Sequence, residues 1–109
     1  MSHRRVIFIF VPLACVLSAA SADEAGKKAF LDAQCERCHS VSSEDIAATV
    51  KSEKMRGPDL AKIGATRDAA WIEQFVKKEV QLDDKSHRAA WKGSDDDLLV
   101  IAKWLASLE

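Results

Sequence analysis

The sequence predicts an all-α domain of three to four helices. Apolar residues recur at three- and four-residue intervals in three separate stretches, and beyond the N-terminal leader no stretch alternates as a half-buried strand would. The segments between them are rich in Lys, Ser, Asp and Glu and read as loops.

The first 22 residues read as an export signal and are set aside from the fold. His3, Arg4 and Arg5 form a basic head, an apolar run extends from Val6 to Leu17, and Ala20-Ser21-Ala22 has the small-residue pattern at which a signal peptidase cuts. The run is shorter than the ~20 residues that span a bilayer, and Pro12 fits poorly ahead of Cys15 in a lipoprotein signal. The expected organisation is therefore a cleaved signal peptide over 1–22 and one domain over 23–109. Such a short domain gains from a cofactor or cross-link that enlarges its core. Without the leader it carries 14 basic and 17 acidic residues, a balance that argues against nucleic-acid binding.

The first helix is expected from about Glu24 into Cys35, with Ala25, Ala29, Phe30 and Ala33 as its apolar stripe. Ser40 to Gly57 is polar, with at most a short helical turn at Ile46, Ala47, Ala48 and Val50. The stretch from Ser42 to Arg56 reads equally as a docking surface or a spacer. Gly57-Pro58-Asp59-Leu60 marks a turn, since Pro58 fixes its own φ and disfavours helix at Gly57.

Another helix is expected from about Arg67 to Val80, carrying Ala70, Trp71, Phe75 and Val76 at helical spacing. Asp68 at its start and Lys77 and Lys78 near its end suit the helix dipole. A polar loop from Gln81 to Gly93 follows. Ser94 then caps the last helix, with Asp97 three residues on and Leu98, Ile101, Leu105 and Leu108 along its buried face. Asp95 to Asp97 complement the N-terminus of that helix.

Chemistry concentrates in "CERCH", residues 35–39. Past the leader the chain keeps only Cys35, Cys38, His39, His87 and Met55 as sulfur or imidazole groups. A thioredoxin-like redox site would open a helix after a strand, whereas this motif ends or follows a helix. A zinc site could draw on two Cys and two His, but Cys38 and His39 are adjacent and no paired H-x3-5-H is present. Covalent haem attachment is the third reading: thiols one turn apart reach the two vinyl groups of one porphyrin, and the next residue offers an imidazole to its iron. A Cys35–Cys38 disulfide would close too small a loop to stabilise much.

With these residues in view, the chain resembles the small soluble class I cytochromes c across nearly all of 23–109. The resemblance rests on "GKKAFLDAQCERCH", "GPDL" and "WKGSDDDLLVIAKWLASL". It implies the cytochrome c fold, helices packed around one haem c bound through Cys35 and Cys38, with His39 as proximal ligand. The Pro58 carbonyl is expected to accept the other imidazole N–H, and Gly26 and Phe30 to meet Trp104 where the first and last helices cross.

The chain departs from the commonest family pattern at the sixth ligand, because the loop before the last helix holds no methionine. Trp91 and Gly93 align with the aromatic and glycine that follow that methionine, and the position itself falls at Arg88 or Ala89. His87 is the leading candidate ligand, with Trp91 packed at the haem edge beside it and Trp71 at the pocket floor or near a propionate. Met55, a lysine such as Lys85 or Lys92, or an open position are the alternatives. The metal ligands expected are thus His39 and His87.

The implied function is that of a periplasmic, non-enzymatic monomer shuttling single electrons between a donor and an acceptor redox protein, without a membrane span or nucleic-acid partner. The alternative is a haem sensor binding NO, CO or peroxide at an open or labile sixth site. If the haem supplies much of the core, Cys35→Ala with Cys38→Ala abolishes covalent haem and largely unfolds the chain, a loss to be followed by circular dichroism and haem stain.

Overall fold

The computed structural model describes residues 18–109. The leader expected over 1–22 therefore lies mostly outside the described residues. Three α-helices form: α1 (Ser18–Asp32), α2 (Ala69–Val76) and α3 (Asp95–Ala106), joined by irregular segments and three short 3-10 turns. Only two isolated antiparallel bridges, Val41 with Ile46 and Leu82 with Lys85, interrupt this all-α arrangement among the described residues.

α1 and α3 cross at Gly26. A Cβ there would come within 2.7 Å of the Trp104 Cγ, so only glycine admits this approach. Phe30, one turn on, meets the Trp104 ring edge-on at 5.5 Å and is wholly buried. Ile101, Ala102 and Leu105 continue the interface from α3, and Ile72 of α2 joins the same cluster. Each large side chain buried there stabilises the fold by about 1.5–3 kcal/mol. Among the described residues no polar or charged side chain is buried.

α1 ends at Asp32, three residues short of the expected Cys35. Gln34 adopts φ 61°, a left-handed conformation that halts an α-helix as a C-terminal cap does. The helical turn expected at Ile46 to Val50 does not form; the 3-10 turn instead occupies Ser42–Glu44. Its cause is burial, since Val41 and Ile46 bridge each other and both point into the core. Gly57 to Leu60 likewise runs without a turn, which comes afterwards at Ala61 and Lys62. There the Asp59 carboxylate accepts the N–H groups of Ser42 (3.1 Å) and Ala61 (3.0 Å), and the Ser42 side chain first, then these two N–H groups, hold its pKa below the ordinary aspartate value.

α2 is shorter than expected at both ends. Asp68 is its N-cap, accepting the Trp71 N–H at 2.8 Å, and Lys78 at φ 63° turns the chain away after Val76. Ser94 caps α3 as expected, its hydroxyl accepting the Asp97 N–H at 3.1 Å. The Lys77 ammonium, 2.8 Å from the Asp95 carboxylate, ties the end of α2 to the first residue of α3.

Gly26→Val should overpack the crossing and cost about 1–3 kcal/mol or more, seen as a lower urea midpoint at unchanged slope.

Candidate metal centre

The motif at 35–39 leaves α1 on a 3-10 turn, Cys35–Arg37, made possible by the left-handed Gln34. The Cys38 and His39 N–H groups both donate to the Cys35 carbonyl, at 3.3 and 3.0 Å, so the two thiols sit one tight turn apart with the imidazole next. A turn this irregular leaves carbonyls without helical partners, and a buried one must find another. The following segment supplies them. Thr49 N–H donates to Glu36 O (2.9 Å), Val50 to Arg37 O (2.8 Å), Gly57 to Cys38 O (2.8 Å) and Leu60 to Ser40 O (2.9 Å). Within the stretch from Ser42 to Arg56, Thr49 and Val50 clasp the motif through their backbone, and Gly57 and Leu60 just beyond it complete the clasp.

His39 is fixed on two sides. Because a carbonyl only accepts, its Nδ1–H donates to the Pro58 carbonyl at 2.8 Å, the bond the family resemblance implied, which leaves Nε2 as the nitrogen available to a metal. Gly57 lies against the ring; a Cβ there would fall 2.6 Å from Nδ1 and 2.9 Å from Nε2. Burial lowers the His39 pKa, outweighing the Pro58 bond, and the neighbouring His87 pushes the same way, so the imidazole stays in the neutral form that binds metals.

The thiols are unpaired with each other. Burial, and secondarily the Glu36 charge, pushes Cys35 up to about 11. That is the reverse of the lowered thiol that a disulfide-exchanging CxxC uses. Nor does a zinc-type set assemble, since among the described residues no three His, Cys, Asp or Glu side chains converge on one point. Glu36 Oε2 is shielded from solvent without a hydrogen-bond partner.

His87 reaches the same region from the loop between α2 and α3. Leu82 and Lys85 exchange both backbone bonds, at 2.9 and 3.0 Å, around Asp83 and Asp84 at φ 51° and 61°. Two successive left-handed residues make the tight turn whose twist suits a hairpin, and aspartate tolerates that region better than most side chains. The chain then returns toward the core. The half-buried His87 donates its Nδ1–H to Ala89 O at 2.9 Å, which leaves Nε2 as the ring nitrogen available to a metal.

The two imidazoles lie with centroids 6.1 Å apart and planes 10° from parallel. Two imidazoles binding one metal from opposite sides through bonds of about 2.0–2.1 Å place their centroids roughly 6 Å apart. The donor chemistry, two imidazoles each anchored through Nδ1, fits a metal held between them. With a pair of free thiols beside His39, the residues fit a covalently bound haem.

The remaining sequence candidates fall elsewhere. Trp91 donates its Nε1–H to Ser94 O at 3.2 Å and lies close beneath Gly93, lining with Ala29 of α1 and Ala33 just after it a cleft beside the last helix. The aromatic ring that meets His87 is Phe75, at 5.6 Å and 74°. Trp71 stacks on Phe75 at 4.9 Å, under the Arg67 guanidinium at 4.1 Å. Met55 is 47 % exposed on a surface turn. Sequence reasoning missed Gly57, Phe75 and the clasp. Only Phe75 left a usable signal, its four-residue spacing from Trp71.

A family model described as cytochrome c matches residues 24–109. No curated protein and no solved structure matches the chain.

Gly57→Ala should displace the His39 ring from Pro58 and weaken its hold on a metal by roughly 10–100-fold, the usual cost of losing such an orienting contact. Visible spectra of the haem-loaded variant would read this as a gain in high-spin character.

Proposed function

The chain belongs to the cytochrome c family, and from that premise we propose that it is an exported electron carrier whose single haem iron is held by His39 and His87. Family membership establishes the coarser part: an electron carrier with haem c bound covalently through the CxxCH motif at Cys35–His39.

The observation that carries the ligand assignment is the pair of near-parallel imidazoles 6.1 Å apart, each with Nδ1 committed to a backbone carbonyl. Met55, exposed on a surface turn two residues before Gly57, has no comparable support. When bound, the haem supplies an iron that changes charge by one electron. His39 and His87 offer the same nitrogen donors in both oxidation states and leave no position for a substrate. The Pro58 and Ala89 carbonyls orient the rings and strengthen them as donors. Two imidazoles in place of an imidazole and a thioether lower the reduction potential, because His/Met ligation is what raises it.

Export to a bacterial periplasm is supported by the leader pattern at 1–22, with the domain at 23–109 acting as a monomer. No helix among the described residues is long and apolar enough to cross a membrane. The partners are a donor and an acceptor redox protein engaged transiently.

Near-infrared magnetic circular dichroism of the ferric protein tests the ligand pair. A bis-histidine charge-transfer band is expected; a histidine–methionine band would overturn the assignment in favour of Met55. His87→Ala should convert low-spin iron to high-spin and admit CO to the reduced protein, and an unchanged spectrum would remove His87 from the site. A mature mass beginning at Asp23 would bear out the cleavage.

A further inference from the structure

We propose that Phe75, backed by Trp71 and Arg67, is a positioning residue that holds the His87 imidazole plane parallel to that of His39. The inference deepens the bis-histidine reading and rests on it.

His87 belongs to a loop with little regular structure, and its neighbours Ser86 and Arg88 to Ala90 are all exposed. Its one described hydrogen bond runs to Ala89, two residues away on the same loop, so that bond travels with the loop and cannot by itself fix the ring against the rest of the fold. An external wall is needed. The ring that meets it is Phe75, crossing at 74° with centroids 5.6 Å apart, the edge-to-face arrangement aromatic pairs favour.

Phe75 is itself immobilised. Trp71 lies one helical turn earlier on α2, and the two rings stack at 4.9 Å with planes 12° apart. The Arg67 guanidinium covers Trp71 at 4.1 Å, within cation–π range. Asp68 anchors the Trp71 backbone N–H at 2.8 Å, pinning the base of the column at the N-terminus of α2. Arg67, Trp71, Phe75 and His87 therefore form one column from the helix start to the candidate ligand, and the ring at its end lies 10° from parallel with His39.

The relative orientation of two axial imidazoles has an electronic consequence. Parallel planes direct both π-systems at the same iron d orbital and separate it from its partner in energy, whereas perpendicular planes leave the two nearly degenerate. Ferric electron paramagnetic resonance reads that separation directly, as a resolved rhombic signal or as a single broad low-field feature.

The test uses the haem-loaded protein and records both this signal and the near-infrared magnetic circular dichroism band. The native protein should show a bis-histidine band and a rhombic signal. Phe75→Leu should keep the band but lose the rhombic signal to a broad low-field one, and Phe75→Tyr should retain it. Trp71→Leu, which removes only the backing, should shift the signal the same way and serves if Phe75→Leu does not fold. A rhombic signal unchanged in Phe75→Leu, or in Trp71→Leu where that variant stands in, would overturn the positioning role while leaving the ligand pair intact. A native bis-histidine band with a broad low-field signal would overturn the parallel arrangement. A native band of another ligand pair would overturn the reading beneath it, and the proposal with it.

Discussion

Everything that surrounds the site hangs from the crossing of α1 and α3 at Gly26 and Trp104. The haem-attachment motif begins three residues after α1 ends, and the loop carrying His87 runs into the start of α3. One close helix contact thus fixes the two chain segments whose imidazoles face each other. Glycine at the crossing matters because any Cβ would wedge the helices apart and carry the two segments with them.

The second requirement is that irregular backbone be satisfied. Within the CxxCH turn the Cys35 carbonyl accepts from Cys38 and His39, but the carbonyls of Glu36, Arg37 and Cys38 need partners from elsewhere. The 46–60 segment resolves this by donating N–H groups to Glu36, Arg37, Cys38 and Ser40. It also delivers the Pro58 carbonyl to His39 and sets Gly57 against the ring. A polar stretch without helical pattern therefore does structural work through its main chain, while its side chains stay largely exposed.

The two histidines are held in place by different means. His39 is held by elements remote in sequence, Pro58 and Gly57, and burial keeps it neutral. His87 is bonded within its own loop and is walled by Phe75 of α2. A ring fixed by the core and a ring fixed by a loop and an aromatic wall differ in how readily each can move.

The sequence by itself pointed to the chemistry: Cys35, Cys38 and His39 lie within five residues, and that spacing together with the family resemblance indicated covalent haem. It also determined α3, since Ser94, Asp97 and a regular apolar face all act locally, and the glycine–aromatic pairing of Gly26 with Trp104 through the family pattern. Local signals failed where burial or long-range bonding overrode them. Gln34 ended α1 early in a left-handed conformation, Val41 and Ile46 were drawn into a bridge where a helical turn was expected, and α2 stopped at Val76. Only the tertiary structure decided that the 42–56 stretch clasps the motif, that Phe75 rather than Trp91 meets His87, and that His87 lies parallel to His39 at 6.1 Å. Those relations join residues far apart in the chain, and neither periodicity nor composition encodes the distance between them until the helices have crossed.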